Sequence, residues 1–199
     1  MDFAEGVPVD RLANPNYRRA ERDRAATLLM RLTLRELFEF ALVQTDPNFS
    51  NYLYDAANGR IVLLDFGATQ RVEPHLVTQY RDLFRASIQD DRAGMRSAAV
   101  ALGYMGAHDP HEQMESMIDM LCLSAEPLRQ PGHYDFGASD LFERVFLRGR
   151  ELLHSGVFTS VPAAETMFLH RKFMGSAMLS RRLRARVDLM TMAQTCLAM

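Results

Sequence analysis

The stretch "QTDPNFSNYLYDAANGRIVLLDFGA", residues 44–68, interrupts a chain whose apolar residues otherwise recur at helical spacing. Its polar start leads into two short apolar runs, residues 51–54 and 60–64, with Asn58-Gly59 between them. An Asn-Gly pair between such runs is a strong signal for a tight β-turn. We therefore predict a small β-hairpin at this point.

Helices are predicted on both sides of the hairpin. Before it, apolar residues from Ala25 to Ala41 recur at helical spacing and Asn14-Pro15 suits a helix start, so one long helix should end near Leu42. After Gly67 the rest is predicted to be helical. The predicted segments run from Pro74 to about Gln89, Asp91 to Gly103, Pro110 to about Ala125, Asp140 to Gly156 and Pro162 to about Arg182, followed by a final turn-rich helix. The predicted fold class is mostly α (α+β) with one small β-hairpin.

Composition limits the kinds of protein this chain can be. With 199 residues, 48% of them hydrophobic, it can form one compact domain, and a net charge of −2 gives no reason to expect nucleic acid. The two cysteines, Cys122 and Cys196, lack metal-ligand spacing, which favours free thiols. No apolar run approaches the roughly 20 residues that span a bilayer, and the acidic first residues do not resemble a signal peptide. The residues alone therefore predict a cytoplasmic chain.

Three polar side chains of the hairpin region have the spacing that phosphate chemistry uses. Asp46 lies in the loop before the first strand, Asn51 follows five residues later, and Asp65 ends the second strand. Phosphoryl transfer from a magnesium nucleotide needs a carboxylate near the attacking hydroxyl or water, and oxygen ligands for the metal. Asp46 suits the first role, and Asn51 with Asp65 suits the second. Each motif alone is typical of an ordinary turn, and their order around one hairpin favours the site.

The residues Asp-Phe-Gly-Ala occur twice, at 65–68 and at 135–138. Asp65 follows an apolar strand and has Asn51 fourteen residues before it, as such a metal ligand requires. Asp135 follows a loop with no predicted strand and leads into Asp140 and Glu143, which have the spacing of a helix-capping pair. We predict that the first copy binds metal and that the second does not.

These motifs resemble the catalytic loop and metal-binding motif of the UbiB/AarF (ADCK-like) atypical kinases. The stretch from Gln44 to Asn51 is similar to the branch tied to coenzyme Q (ubiquinone) biosynthesis, and the resemblance runs the whole chain, including residues 34–40 and 169–172. It implies a protein-kinase-like fold, ATP and Mg²⁺ as cofactors, and ATPase or small-molecule kinase activity. It also implies quinone-pathway enzymes as partners, and a place at the periphery of the bacterial or mitochondrial inner membrane. Residue by residue, it makes Asp46 the catalytic carboxylate and Asn51 and Asp65 the metal ligands.

The chain departs from complete kinases in several ways. Gln44-Thr45 replaces the usual His-Arg and no Ala-Pro-Glu follows Gly67, so peptide phosphorylation is not expected. Lys172 is the only lysine and follows Asp65, so it cannot be the nucleotide lysine of an N-terminal lobe. Residues 1–6 resemble the hinge between the kinase lobes, with Asp2 and Ala4 next to adenine. We therefore predict a hinge-like segment at 1–13 and a kinase-like C-lobe at 14–199, with the N-lobe absent and with weak or no activity alone.

Two other functions remain open at this point. Aminoglycoside phosphotransferases share an aspartate and asparagine at this separation, but usually have a histidine where this chain has Gln44. A non-catalytic helical module that binds lipid or partner enzymes is the second. Such a module would bind through the basic C-terminal end of the chain. That end is either a solvated helix face or a surface for an anionic membrane or an isoprenoid lipid. The basic residues are Arg171, Lys172, Arg181, Arg182, Arg184 and Arg186.

Overall fold

A long helix, α1 (Arg19–Phe38), lies at the centre of the computed structural model, which describes residues 5–46, 48–154 and 164–198. Its buried side recurs every three to four residues, at Ala25, Ala26, Leu29, Met30, Thr33, Leu34, Leu37 and Phe38. It packs against helix α7 (Ala164–Arg182), whose bounds agree with the predicted segment except at its start, since Pro162 lies outside the described residues. This helix pair supports the hairpin region.

Both predicted ends of α1 were wrong by several residues. Residues Val9–Ala13 form a 3-10 helix, and α1 begins only at Arg19, where the Glu21 carboxylate accepts the backbone N–H of Arg18 at 2.9 Å. At the other end, Ala41 has a left-handed φ of 47° and Leu42–Gln44 is strand β2. The helix therefore stops before the polar loop, and a strand leads into that loop.

The predicted hairpin is confirmed. Strand β3 (Tyr52–Asp55) pairs antiparallel with β4 (Arg60–Leu63), Leu53 facing Val62, and Gly59 takes a positive φ of 59° in the turn. Strand β1 (Val7–Pro8) pairs with the other edge of β3 and completes a three-stranded sheet in the order β1-β3-β4.

The prediction of a single hairpin was incomplete, because the described residues contain two further strand pairs. Strand β2 pairs antiparallel with β5 (Thr69–Arg71), so residues just after Gly67 are extended rather than helical. Strand β6 (Tyr134–Asp135) pairs with β7 (Arg186–Val187). These strands are two or three residues long and their partners are distant in the chain, so neither alternation nor a turn signal marks them.

The remaining helices follow the predicted segments closely. They are α2 (Pro74–Gln89), α3 (Arg92–Ala101), α4 (His111–Ser124), α5 (Glu126–Arg129), α6 (Leu141–His154) and α8 (Leu189–Leu197). Only the short α5 was not anticipated, and the predicted stop of α6 at Gly156 lies outside the described residues. Cys122 and Cys196 are both free thiols, as predicted. Within the described parts of the chain, no helix combines the length and the apolarity that crossing a membrane requires.

Candidate functional site

The structure brings Asp46 and Asn51 into direct contact. Asp46 follows strand β2, and Asn51 ends a short 3-10 helix, Phe49–Asn51, that leads into β3. The side-chain amide of Asn51 donates to Asp46 Oδ2 at 3.1 Å. An ionised carboxylate can only accept, so the amide nitrogen faces Asp46 and the amide oxygen of Asn51 is left for another partner. Both residues are half-buried.

The loop between these two residues is held by its own side chains. Asn48 Oδ1 accepts the backbone N–H of Ser50 at 3.1 Å and its hydroxyl at 2.8 Å, which caps the 3-10 helix. Asp46 Oδ1 accepts the backbone N–H of Asn48 at 3.3 Å. The short spacing from Asp46 to Asn51 therefore produces a compact turn in which the two side chains meet.

Asp65 follows β4 and is exposed. Its Oδ1 accepts the backbone N–H of Gly67 at 2.7 Å. The ladder of the hairpin continues to this point, because the backbone N–H of Leu64 donates to the carbonyl of Asn51 at 2.9 Å. The hairpin thus returns the chain beside Asn51 immediately before Asp65, as its pairing predicted.

Gln44 connects Asp65 to Asp46. Its side-chain nitrogen donates to the backbone carbonyl of Asp65 at 2.9 Å, and its side-chain oxygen accepts the backbone N–H of Asp46 at 2.6 Å. Gln44 is buried, so both ends of its amide are satisfied where water is excluded. Sequence reasoning used Gln44 as part of the motif and as a replacement for histidine, but gave it no structural role; its position two residues before Asp46 was the available signal for this bridge.

A second link ties the two loops together one residue further on. The backbone N–H and the hydroxyl of Thr45 both donate to the carbonyl of Ala68, at 3.0 and 2.7 Å. Strand β2 and the segment after Asp65 are therefore joined by hydrogen bonds on both sides of the candidate site. The two candidate loops are held at fixed separation by backbone and buried side-chain contacts rather than by contact between their carboxylates.

The donor set at this place is oxygen only. In the described parts of the chain there is no cluster of three or more His, Cys, Asp or Glu side chains that could hold a metal. The available ligands are instead the amide oxygen of Asn51 and the carboxylates of Asp46 and Asp65. Such oxygens suit Mg²⁺, which retains several waters and takes few protein ligands.

The second Asp-Phe-Gly-Ala copy has a structural role. Asp135 Oδ1 accepts the backbone N–H groups of Gly137 and Ala138, both at 3.1 Å. Its Oδ2 accepts from Arg19 at 3.1 Å and from Arg186 at 2.8 Å. Arg186 is the main cause that holds the pKa of Asp135 below its ordinary value. Asp135 also lies in strand β6, where the sequence predicted none, and fastens β7 and the start of α1 to that strand.

The basic C-terminal end is largely neutralised within the fold. Lys172 is buried rather than on the surface, and pairs with Glu36. Arg181 pairs with Glu143, Arg182 with Asp10 at 3.6 Å, and Arg186 with Asp135 at 2.8 Å. Four of the six basic residues are therefore paired with carboxylates within the described part of the fold. Asp2 and Ala4, the predicted adenine contacts, lie outside the described residues.

The chain is similar to known proteins in both fold and sequence. Over 97% of its length the chain superposes on 47% of a chain in a structure titled as the complex of Rv3197 with erythromycin from Mycobacterium tuberculosis, with a TM-score of 0.68 and 17% identity. The fold is kinase-like, mostly helical with small antiparallel sheets, consistent with a kinase-like C-lobe, and the predicted fold class is confirmed.

Residues 1–99 match the ABC1 atypical kinase-like domain. The chain is 32% identical to the mitochondrial atypical kinase COQ8B of Rattus norvegicus over 187 residues, which are 94% of this chain and 35% of that protein. It is 33% identical to mitochondrial COQ8 of Schizosaccharomyces pombe, over 94% of this chain and 30% of that protein. It is 31% identical to mitochondrial COQ8 of Saccharomyces cerevisiae, over 94% of this chain and 37% of that protein. The chain belongs to the UbiB family of atypical kinases, and spans about a third of the length of these relatives.

Proposed function

We propose that this chain is the C-lobe of an ATP- and Mg²⁺-dependent atypical kinase or ATPase that supports ubiquinone biosynthesis. The observation that carries the proposal is the contact between Asn51 and Asp46, 3.1 Å from amide nitrogen to carboxylate. The side chain of Gln44 links this loop to the backbone of Asp65. Family membership supports the same role, and the names of the COQ8 relatives favour the quinone branch over an aminoglycoside phosphotransferase.

In this proposal each of the three side chains has a separate task. Asp46 accepts a hydrogen bond from the attacking hydroxyl or water and takes its proton, as the carboxylate of a phosphoryl-transfer site does. The amide oxygen of Asn51 and the carboxylate of Asp65 hold Mg²⁺. When bound, the metal neutralises charge on the phosphate oxygens. Asn51 also keeps the Asp46 carboxylate in one orientation by donating to Oδ2.

The domain assignment is part of the proposal. We assign residues 1–13 to a hinge-like segment, with Asp2 and Ala4 at the adenine, and residues 14–199 to the C-lobe. The single lysine of these 199 residues is buried against Glu36, so the lysine that grips the nucleotide has to come from outside them. We therefore expect the 199 residues alone to bind Mg·ATP but to turn it over weakly or not at all.

Binding is the appropriate first test, because it does not depend on turnover. We expect isothermal titration calorimetry to detect Mg·ATP binding, and Asp65→Asn to weaken it at least tenfold, since it removes a charged ligand. The chain offers a matched control, Asp135→Asn, which makes the same change in the same four-residue motif and should leave the affinity unchanged. Equal affinities for wild type and Asp65→Asn would refute the metal role of Asp65.

The biological part needs a separate measurement. We expect a complete kinase that contains these 199 residues as its C-lobe to restore ubiquinone content in a strain that lacks its own UbiB-type kinase, and Asp46→Asn in that protein to abolish the restoration. Quinone levels measured by mass spectrometry would decide this. Restoration by Asp46→Asn as complete as by wild type would instead favour a non-catalytic module at the membrane periphery, binding quinone-pathway enzymes, an anionic membrane surface or an isoprenoid lipid.

A further inference from the structure

A buried ion pair lies directly behind the candidate site. Lys172 on α7 and Glu36 on α1 approach to 2.8 Å, with only 4% and 7% of their side chains exposed. Removing two charges from water is costly, and a buried pair often adds little to stability compared with apolar residues of the same size. Stability alone therefore does not explain a lysine and a glutamate here, which leads to the question of what else they contact.

Lys172 contacts the strand that begins at the candidate site. Its ammonium donates to the hydroxyl of Tyr52 at 3.0 Å and lies 5.4 Å from the centre of the Tyr52 ring. Tyr52 is buried and directly follows Asn51, the residue whose amide holds Asp46. A shift of Tyr52 would therefore carry Asn51 with it.

Glu36 contacts the other side of the same site. Burial raises the pKa of Glu36, and Lys172 and the nearby backbone N–H of Gln44 oppose that rise. The orientation of β2 explains the contact, because Ala41 and Thr45 use their backbone groups to bond the strand opposite, to Val72 and Ala68. In an antiparallel pair alternate residues point their backbone groups the other way, which directs Gln44 N–H toward α1.

We propose that the Glu36–Lys172 pair positions the catalytic loop, fixing Gln44 through Glu36 and Tyr52 through Lys172 so that Asp46 and Asn51 stay in contact. Both side chains of the pair are buried, and Lys172 contacts Tyr52 at the end of the loop. The pair thus acts through other residues, as a positioning element. The proposal rests on the proposed function only for the ligand that the loop holds, since the arrangement of the loop can be measured without any ligand.

The test separates positioning from stability. The main variant is Glu36→Met with Lys172→Met, which replaces the pair by two apolar side chains of similar length. A second, Tyr52→Phe, removes one hydroxyl and keeps the ring. Leu128→Ala in α5 is the control, since it creates a cavity in the core away from the two loops. For each protein we would measure the urea midpoint, the affinity for Mn²⁺ alone by electron paramagnetic resonance, and the side-chain amide resonances of Asn51 by NMR.

We expect the double variant to keep a urea midpoint near that of wild type. It should bind Mn²⁺ about tenfold more weakly, because residues that orient the metal ligands have been removed. The Asn51 amide resonances should shift. Tyr52→Phe should shift them in the same direction by less. Leu128→Ala should lower the urea midpoint and leave the resonances in place.

The positioning role is overturned if the double variant, or Tyr52→Phe where the double variant does not fold, shows Asn51 resonances and a metal affinity equal to wild type. If wild type binds no Mn²⁺, the proposed function fails, while the Asn51 resonances still decide the positioning role.

Discussion

Asp65 and Asp135 make the same turn in the same way: in each, Oδ1 accepts the backbone N–H two residues ahead, at 2.7 Å from Gly67 and 3.1 Å from Gly137. Their surroundings differ. Asp135 is held by two arginines, whereas in the part of the chain that the structure describes Asp65 has no such cation and is exposed. The shared sequence therefore gives the same hydrogen bond from the glycine N–H to the aspartate in both places, and distant residues decide whether the other carboxylate oxygen is occupied by a guanidinium.

The first prediction concerns stability. Asp135→Asn should lower the free energy of unfolding by about 1 kcal/mol, because it weakens two partly exposed ion pairs and keeps an acceptor for the backbone N–H groups. Urea denaturation at neutral pH measures this. Asp65→Asn, without an arginine partner among the described residues, should change the midpoint less than Asp135→Asn does. The reverse order would contradict the structural role assigned to Asp135.

The second prediction follows from the pKa of Asp135, which lies below its ordinary value chiefly because of Arg186. A carboxyl with a depressed pKa in the folded state stabilises the protein above its unfolded pKa, and this contribution is lost as the pH falls through the folded pKa. The gap in stability between wild type and Asp135→Asn should thus be full at neutral pH and shrink in acid, below about pH 4. Urea midpoints at a series of pH values would test it, and a constant gap would contradict it.

The third prediction concerns Gln44. Gln44→Ala removes the bridge between the Asp65 carbonyl and the Asp46 N–H and leaves both without that partner. We expect about tenfold weaker binding of Mn²⁺, the effect typical of losing a group that orients metal ligands. Gln70→Ala, an exposed glutamine on the paired strand β5, is the matched control and should bind as wild type does. An equal loss of Mn²⁺ affinity in both variants would mean that damage to the β2–β5 pair, rather than loss of the Gln44 hydrogen bonds, weakens binding.

The fourth prediction compares two glycines. Gly59→Ala should destabilise the protein by about 1 kcal/mol, because Gly59 has a φ of 59° and an added Cβ would lie 2.4 Å from the Arg24 guanidinium. Gly149→Ala in α6 should stabilise by about 0.5 to 1 kcal/mol, since its Cβ would meet only Met120 at 3.6 Å. Thermal unfolding of both variants gives the answer. The two changes in stability should have opposite signs. A stabilising Gly59→Ala would contradict the left-handed conformation of Gly59 in the hairpin turn.

The helices were predictable because their signals are local. Helix α2 begins at Pro74 and ends where Asp90 takes a left-handed φ of 54°, and both bounds agree with the sequence-based segment. The hairpin was predictable for the same reason, since Asn58-Gly59 lies between its strands. By contrast, β2 and β5 are three residues each and are specified by their pairing across the candidate site, which no short window of sequence contains.

The same distinction applies to the candidate site: its residues were predictable from local spacing, and the residues that support them were not. The spacing of Asp46, Asn51 and Asp65 identified the loop, and the first two are in contact in the structure. The supports of the loop were not found, because Gln44 works through hydrogen bonds to backbone groups and Lys172 through Glu36, a residue far away in the chain. Sequence reasoning placed Lys172 on a basic surface, whereas the side chain is buried, since helical spacing alone does not tell which face is covered.

Because Lys172 is buried, its chemical reactivity can report how often helices α1 and α7 separate. It is the only lysine in the sequence, and its ammonium is covered by Glu36 and Tyr52 in the folded state. A reagent that acylates amines can therefore reach this side chain only when α1 and α7 separate. The rate at which the mass of the peptide containing residue 172 increases would measure how often the support of the loop opens, without any engineered label.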